Sequence, residues 1–553
     1  MTPPPAGDVP WWRGATIYQI YPRSFQDSNG DGIGDLPGIL RRLDYVADLG
    51  VDAVWISPFF RSPMKDFGYD VSDHCAVDPI FGTLADFDAL IAKAHRLGLR
   101  VVIDQVLNHT SDRHAWFVES RASRDNPKAD WYVWADPRRD GSPPNNWLSV
   151  FGGVAWHWEP RRRQYFLHNF LASQPDLNFH CEAVRAAVIE SIRFWLDRGV
   201  DGFRLDAVNY YFHDPQLRDN PPARDPGDSE QPAVNPYALQ RHLHDKSQPE
   251  LLPFLQQLRR LFDRYPSIMT LGEIGDGARS LELMAAYTGG GDKLDTCYAT
   301  DFLRGRFEPG YFRTTLTRFE VGAGDGWPCW AFSNHDSVRQ ATRWLDAVPD
   351  RDRLARLAAQ LLLSLRGTIC LYQGEELGLP EAELQREQLV DPYGIEFWPE
   401  YPGRDGCRTP MPWQSDAPAG GFSDGVPWLP LPAAHRALAV DRSDAEGAAS
   451  LRALYRKMLA LRRAEPALRL GAIRFLAAPP PVLALVREGD PAEPPGQARA
   501  AALLCVCNFG AAPVRFSPAG QRLAALPGAP GRPPAADALV IDGYDAGFAR
   551  LLP

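Results

Sequence analysis

Three carboxylates at the ends of apolar runs carry the chemistry that this chain could do. Asp206 closes Gly202-Phe-Arg-Leu-Asp206, Glu273 follows Thr270-Leu-Gly272, and Asp336 follows Trp330-Ala-Phe332 after Asn334-His335. Arg204 and Asp206 stand two apart, so on a strand both side chains point to one side. A guanidinium beside a carboxylate keeps it ionised, as a nucleophile requires. Glu273 comes after an apolar strand, where partial burial would raise its pKa. A carboxylic acid still protonated near neutrality can donate to a leaving oxygen. Two carboxylates in such unlike settings form the glycoside-cleaving pattern. A separation of about 5–5.5 Å means retention through a covalent intermediate, and ~6.5–9.5 Å means inversion. Asp104 with Asn108 and His109, and His335 beside Asp336, add polar groups at further strand ends. Taken singly each is weak, because carboxylates after strands more often cap helices or pair with Arg and Lys.

The elements that would hold these groups suit a closed barrel better than an open sheet. Eight strand candidates can be placed: 17–21, 53–56, 100–103, 202–205, 269–271, 294–298, 330–332 and 369–372. Between the early ones lie helical stretches. Phe87, Leu90, Ile91, Ala94 and Leu97 recur at helical spacing and stop at Gly98; a second helix runs from Val184 to Leu196 and closes at Gly199. Strand, helix, strand in this rhythm builds a parallel sheet, and eight units close it into an α/β (β/α)8 TIM barrel with its site on the C-terminal rim of the strands. The rhythm breaks after Asp104, where residues 105–175 are rich in Trp, Asn, Pro and Gly. Leu451, Leu454, Met458 and Leu461 form the last strong amphipathic helix. Beyond it, Pro479-Pro-Pro481 and Pro494-Pro495 punctuate β-like stretches at 482–486 and 501–507. The division expected is barrel domain A at 1–104 and 176–466, an inserted subdomain B at 105–175, and a C-terminal all-β sandwich, domain C, at 467–553. Asp206 and Glu273 are 67 residues apart but should span one barrel unit of ~31 residues. The excess predicts a long loop, Tyr210 to about Pro249, over the site.

Bulk properties set limits on partners. At 553 residues, with 45% hydrophobic and 23% charged residues, the chain can bury a large core and is not disordered. A net charge of −10 disfavours nucleic acid and anionic membrane as partners. Met1 to Asp8 reads as no secretory signal, and no apolar run approaches the roughly 18–20 residues that cross a bilayer. The eight cysteines are scattered without a CxxC pair, which suits reduced buried thiols in a cytoplasmic protein and disfavours zinc. Asp27-Ser-Asn-Gly-Asp-Gly-Ile-Gly-Asp35 places oxygen donors at alternate positions with glycines for the turn, suited to a hard cation such as Ca2+. An EF-hand would carry a glutamate at its twelfth position, which here is Gly38. A metal-free Asx-rich turn is the alternative.

Longer segments make the pattern specific. Asp104-Gln-Val-Leu-Asn-His109, Gly202-Phe-Arg-Leu-Asp206, Gly272-Glu-Ile274 and Asn334-His-Asp336 come in that order and resemble the four signature segments of the α-amylase family, glycoside hydrolase family 13. Gln174-Pro-Asp-Leu-Asn178 looks like its fifth segment, and Gly50-Val-Asp-Ala-Val-Trp-Ile-Ser-Pro58 and Tyr372-Gln-Gly-Glu-Glu376 like two more. Arg404-Asp-Gly-Cys-Arg-Thr-Pro-Met-Pro-Trp413 is similar to a stretch of the α-glucosidase and oligo-1,6-glucosidase branch. The whole resembles bacterial α-glucosidases with glucosyl-transfer activity.

The resemblance implies roles. Asp206 is the nucleophile, Glu273 the acid/base and Asp336 the transition-state stabiliser. Arg204, His109 and His335 line the subsite of the cleaved glucose, and Tyr69 stacks beneath that sugar. Asp66 and Arg404 pair and close the pocket, so that only a chain end enters. Phe151, Phe170 and Gln174 come from the inserted subdomain and frame the site. The resemblance also places a structural Ca2+ or Mg2+ on Asp27, Asn29, Asp31, the carbonyl of Ile33 and Asp35, with no organic cofactor. Alanine after the nucleophile, Ala207, goes with α-1,4 cleavage in this branch, and valine with α-1,6. The function expected is a retaining, exo-acting α-1,4-glucosidase of short substrates such as maltose, a monomer or homodimer, with transglucosylation to sugar or alcohol acceptors. An α-1,6 oligoglucosidase or a sucrose-acting glucosyltransferase or isomerase of the same family is the alternative. A catalytically dead relative of the amino-acid-transporter heavy subunits is disfavoured by the complete triad.

Overall fold

The computed structural model describes residues 9–225, 229, 231–489, 502–535 and 537–552. The N-terminal Met1–Asp8 stretch, the Pro494-Pro495 turn and the first residue of the 501–507 stretch lie outside them. Eight parallel strands form one sheet: β1 (Thr16–Ile20), β2 (Ala53–Ile56), β3 (Arg100–Gln105), β4 (Gly202–Leu205), β5 (Met269–Ile274), β6 (Thr296–Ala299), β7 (Cys329–Ala331) and β8 (Thr368–Tyr372). Their order is β6-β5-β4-β3-β2-β1-β8-β7. A parallel bridge from Cys297 to Pro328 joins β6 to the approach of β7 and closes the barrel.

The residues explain the closure. Along each strand alternate side chains face opposite ways. Ile17, Ala53, Trp55, Val102, Met269, Leu271, Cys329 and Cys370 form a cluster inside the barrel. Tyr18, Ile20, Val54, Ile56, Val101 and Ile103 join the larger cluster between sheet and helices. Eight helices cover that outer face, one after each strand: α1 (Leu36–Leu49), α2 (Leu84–Arg96), α3 (Glu182–Leu196), α4 (Leu251–Phe262), α5 (Ser280–Thr288), α6 (Pro309–Gly322), α7 (Arg351–Leu362) and α8 (Leu451–Ala464). In α1, Leu36, Ile39, Leu43, Val46 and Leu49 are buried at helical spacing. Asp35 caps its start by accepting from Gly38 N–H at 2.6 Å, and Gly50, at φ 95°, ends it. In α2 a capping box between Thr83 and Asp86 does the same.

The insertion after β3 holds one short helix, Ala115–Ser120, and a three-stranded antiparallel sheet of Trp134–Ala135, Gln164–Leu167 and Trp156–Glu159. Its own apolar cluster includes Val133, Trp147, Trp156 and Leu167. After α8 come a helical turn, Pro466–Arg469, and an antiparallel five-stranded sheet built around Val482–Arg487, Leu503–Asn508 and Asp545–Leu552. A two-stranded ribbon, Val514–Phe516 with Leu539–Ile541, shares its apolar cluster. No helix among the described residues is long and apolar enough to cross a membrane. All eight cysteines are free thiols.

Candidate active site

The site gathers where β3, β4, β5 and β7 end. Arg204, on β4, is wholly buried and acts as a fork. Its Nη1 lies 2.5 Å from Asp206 Oδ1 and 2.8 Å from Asp104 Oδ1; its Nη2 lies 2.5 Å from Glu273 Oε2. The Tyr298 hydroxyl accepts from the same guanidinium at 2.7 Å and donates to Glu273 Oε1 at 3.0 Å. Glu273 therefore differs from its expected apolar setting. Strand β5 continues through it to Ile274 and pairs it with Tyr298, which brings its carboxyl against a guanidinium, a phenol and the Ala207 N–H at 3.1 Å. Its side chain keeps 20% exposure, against 0% for Arg204 and 10% for Asp206. Three carboxyls thus share one cation. Burial raises Asp206, the Arg204 charge opposes this, and Glu273 and Asp104 push it further up. Burial likewise pushes Asp104 up to about 6 against Arg204.

Asp336 sits in the opposite field. Burial works against its charge, but His335, Arg408 and Arg404 together hold it well below the usual carboxylate range. Arg408 Nη2 reaches its Oδ1 at 2.6 Å, Arg404 Nη1 reaches the same oxygen at 3.3 Å, and His335 Nε2 lies 3.2 Å from Oδ2. Burial pushes His335 down to about 3, so the ring is neutral near pH 7. The Gln19 amide lies 2.7 Å from its Nδ1 and donates there, leaving the ring proton on Nε2, 2.5 Å from the Tyr69 hydroxyl. The Tyr69 and His335 rings stack at 5.3 Å and 6°. The Tyr69 hydroxyl also reaches Asp104 Oδ2 at 3.1 Å.

A cavity of about 900 Å³, its open mouth included, lies in front of these groups. Asp206, Glu273 and Asp336 line it, as do Asp66, Tyr69, His109, Phe151, Phe170 and Arg404. Arg204, Gln174 and His335 do not reach its wall. They are fully buried one layer behind, where Gln174 Nε2 donates to Asp66 Oδ2 at 3.0 Å and contacts His109 Nε2 at 3.2 Å. These three orient the lining groups, which departs from the lining role expected of Arg204 and His335. Arg404 Nη2 pairs with Asp66 Oδ1 at 2.8 Å, as expected, and also with Asp391 Oδ1 at 2.7 Å. Its guanidinium lies over the Phe151 ring, 4.9 Å from the centroid.

Several groups escaped the sequence reading. Asp391 and Arg408 orient Arg404 and Asp336. Asp391 caps the short helix Pro392–Phe397 and accepts from Tyr393 N–H, so its Asp-Pro signal reads as a helix start and not as a site; Arg408 follows Arg404 by four residues in a segment the reading did quote. Val150, Tyr210 and Tyr237 form an apolar wall with Ala207, Phe151 and Phe170. Gln231, Thr300, Leu303, Arg304, Tyr393 and Tyr401 also line the cavity, with Gly275, Asn334 and Ser337. The long loop supplies Tyr210 and Gln231. Ala207 itself has φ 43° and ψ 44°, a left-handed backbone at a non-glycine residue beside Asp206.

The oxygens of the Asp27–Asp35 loop accept hydrogen bonds from the loop itself. Asp27 takes the N–H groups of Asn29, Gly30 and Gly32 and the hydroxyl of Ser423. Asp31 takes Ile33 N–H at 2.8 Å and the Asn29 amide at 3.1 Å. Asp35 takes the N–H and hydroxyl of Ser28. Among the described residues no group of three or more His, Cys, Asp and Glu side chains is gathered to hold a metal ion.

Comparison with known proteins agrees with this architecture. Residues 19–471 match the model of the α-amylase catalytic domain. A probable α-glucosidase of Rhizobium meliloti strain 1021 is 62% identical over 475 residues, 85% of each chain. An oligo-1,6-glucosidase of Heyndrickxia coagulans is 39% identical, over 76% of this chain and 79% of its own. Among solved structures, the α-glucosyl transfer enzyme XgtA superposes with a TM-score of 0.93 at 55% identity, covering 99% of this chain and all of its own. The trehalulose synthase MutB of Pseudomonas mesoacidophila MX-45 does so at 0.87 and 33%, with the same coverage. With an eight-stranded barrel, three carboxyls around one rim cavity and a matching family model over most of its length, the chain belongs to the α-amylase family and is a glycoside hydrolase.

Proposed function

We propose that the protein is a retaining, exo-acting α-glucosidase that also transfers glucose to sugar or alcohol acceptors. The observation that carries this reading is the Arg204 fork, whose two Nη atoms hold Asp206 and Glu273 at 2.5 Å each. Tying both carboxyls to one guanidinium holds them near each other, which favours the short, retaining separation. In the first step an Asp206 oxygen attacks the anomeric carbon as Glu273 gives its proton to the leaving oxygen. In the second, Glu273 takes a proton from water or an acceptor hydroxyl, and that oxygen displaces Asp206. Asp336, kept ionised by its arginines, stabilises the positive sugar in between. Tyr69 stacks under the sugar, His109 lines its subsite, and Arg204 and His335 steady the layer behind. The Asp66–Arg404–Asp391 lock blocks the far end, so a chain end enters; Phe151, Phe170 and Gln174 frame it. The 62% identical relative named a probable α-glucosidase and the XgtA superposition support the class and the transfer activity.

The small Ala207 side chain supports α-1,4 preference and short substrates such as maltose. The α-1,6 alternative draws on the oligo-1,6-glucosidase at 39% identity, and the sucrose-acting one on MutB, 33% identical and solved with its substrate sucrose. The same reading places the protein in the cytoplasm as a monomer or homodimer, divided at 104, 175 and 466, with small α-glucosides and no nucleic acid or membrane as partners. It needs no organic cofactor. A structural Ca2+ or Mg2+ held by Asp27, Asn29, Asp31, the Ile33 carbonyl and Asp35 is supported by the all-oxygen donor set. Elemental analysis of carefully prepared protein finding no divalent metal removes the ion. Time-resolved proton NMR on maltose tests the main reading: early α-glucose supports it, and early β-glucose overturns the covalent role of Asp206.

A further inference from the structure

The arginines of this site are neutralised with one exception. Arg204 is paired with Asp104, Asp206 and Glu273; Arg404 with Asp66, Asp336 and Asp391; Arg408 with Asp336. Arg304 lines the same cavity, and among the described residues its side chain makes no ion pair and no hydrogen bond. It ends the short helical turn Asp301–Arg304, directly after β6. The strand order fixes which end of the cavity this is. Asp206 follows β4, Glu273 lies on β5 and Arg304 follows β6, the next strand along the rim. The group that protonates the leaving oxygen stands between the nucleophile and Arg304. Arg304 therefore lies on the side where the leaving group departs and the acceptor arrives; Thr300, Tyr393 and Tyr401 line the same cavity.

We infer that this end of the cavity selects acceptors bearing an anion, in particular hydroxy acids, whose carboxylate pairs with Arg304 while a hydroxyl faces Glu273. The inference rests on the retaining reading above. Charge enforces the orientation: the inner end is crowded with carboxylates, so an anionic acceptor is repelled from it and its charged group turns outward to the Arg304 guanidinium. The timing also suits. Once the glycosyl-enzyme forms, Asp206 is an ester and its charge is gone. In the transfer step the hydroxyl proton passes to Glu273, the acceptor oxygen bonds to the anomeric carbon, and the bond from that carbon to Asp206 breaks. The product is the α-glucoside of the hydroxy acid.

The test uses the full-length enzyme with p-nitrophenyl α-glucoside as donor and compares two acceptors that differ by one carboxylate, D-glycerate and glycerol. Initial rates of glucoside formation are followed by NMR at low salt and in 0.5 M KCl, for the unchanged protein, R304K and R304Q. The expected result is a preference for glycerate of about fivefold, the upper end for one exposed ion pair. Salt and R304Q abolish it, and R304K keeps part of it. Equal rates on the two acceptors, a preference for glycerol, or a glycerate preference that survives in R304Q overturns the inference while leaving the glucosidase reading intact. No release of p-nitrophenol from the unchanged protein overturns both.

Discussion

Replacing Glu375 with glutamine should stabilise the protein at alkaline pH. Glu375 opens the turn after β8 and is 4% exposed. Its oxygens accept only neutral donors, the Tyr455 hydroxyl at 3.1 Å and the Tyr372 N–H at 3.3 Å. Beside it Glu376 takes the hydroxyls of Tyr18 and Tyr45 at 2.8 and 2.6 Å. Burial is the main cause that pushes the Glu375 carboxyl from 4.5 up to about 8, with Glu376 adding repulsion against those two hydrogen bonds. The folded state therefore keeps a proton that the unfolded chain gives up. The stability this provides is fully present below pH 4.5 and is lost as pH rises to about 8. At ~1.4 kcal/mol per pH unit the loss approaches about 5 kcal/mol, an upper bound because relaxation and water entry soften it. Glutamine keeps the shape and an acceptor without the titration. Relative to the unchanged protein, E375Q should lie within ~1 kcal/mol at pH 4.5 and be more stable by several kcal/mol at pH 8.5. Urea midpoints read by Trp fluorescence at pH 4.5, 7 and 8.5 measure this. The buried acids Glu381 and Asp176, both pushed up to about 7 by burial, titrate in both proteins and cancel in the difference. A difference independent of pH would refute the reasoning.

Three further outcomes are expected. Asp206→Asn should lower kcat on p-nitrophenyl α-glucoside by on the order of 10⁴-fold or more with an unchanged circular dichroism spectrum; a loss under tenfold rules it out as nucleophile. Asp391→Asn removes one of three carboxylate partners of Arg404, so stability should fall by about 2–3 kcal/mol, below the ~3–5 for breaking a lone buried pair. Its kcat/KM on maltose should fall with it, and unchanged values would show that Asp66 and Asp336 suffice to position Arg404. Ala207→Val puts a β-branched side chain at φ 43°, where such residues are strained. It should cost about 1–3 kcal/mol and raise the isomaltose-to-maltose rate ratio; a lowered ratio would refute the linkage reading.

How much of this was legible in the sequence follows the kind of signal each part carries. The barrel strands are short apolar runs ended by glycine or a polar group, so all eight were placed to within a few residues. β5 is the instructive error. Ending it at Leu271 put Glu273 beyond the strand in apolar surroundings, whereas the ladder continues because Glu273 pairs with Tyr298 across β6. Local pattern cannot show that a charged residue stays in register when its partner is another buried polar group. The three carboxylates that meet at the rim cavity were legible because each sits in a contiguous segment; the resemblance then added Asp66 and Arg404, 338 positions apart.

Asp391 was not legible. It is joined to Arg404 only through three-dimensional folding, and a carboxylate that caps a short helix, as Asp391 caps Pro392–Phe397, is ordinarily solvated. The buried layer of Arg204, His335 and Gln174 shows the same limit from the other side. The resemblance named these residues for the site and the fold brings them beside the cavity, but a sequence segment does not state depth. A residue that touches substrate and one that holds its neighbour differ by a single packing layer, and only the fold determines which layer each occupies. Arg304 is the converse case. Its significance lies in the carboxylate it lacks, and the absence of a partner can be recognised only after every other charge at the rim has been placed.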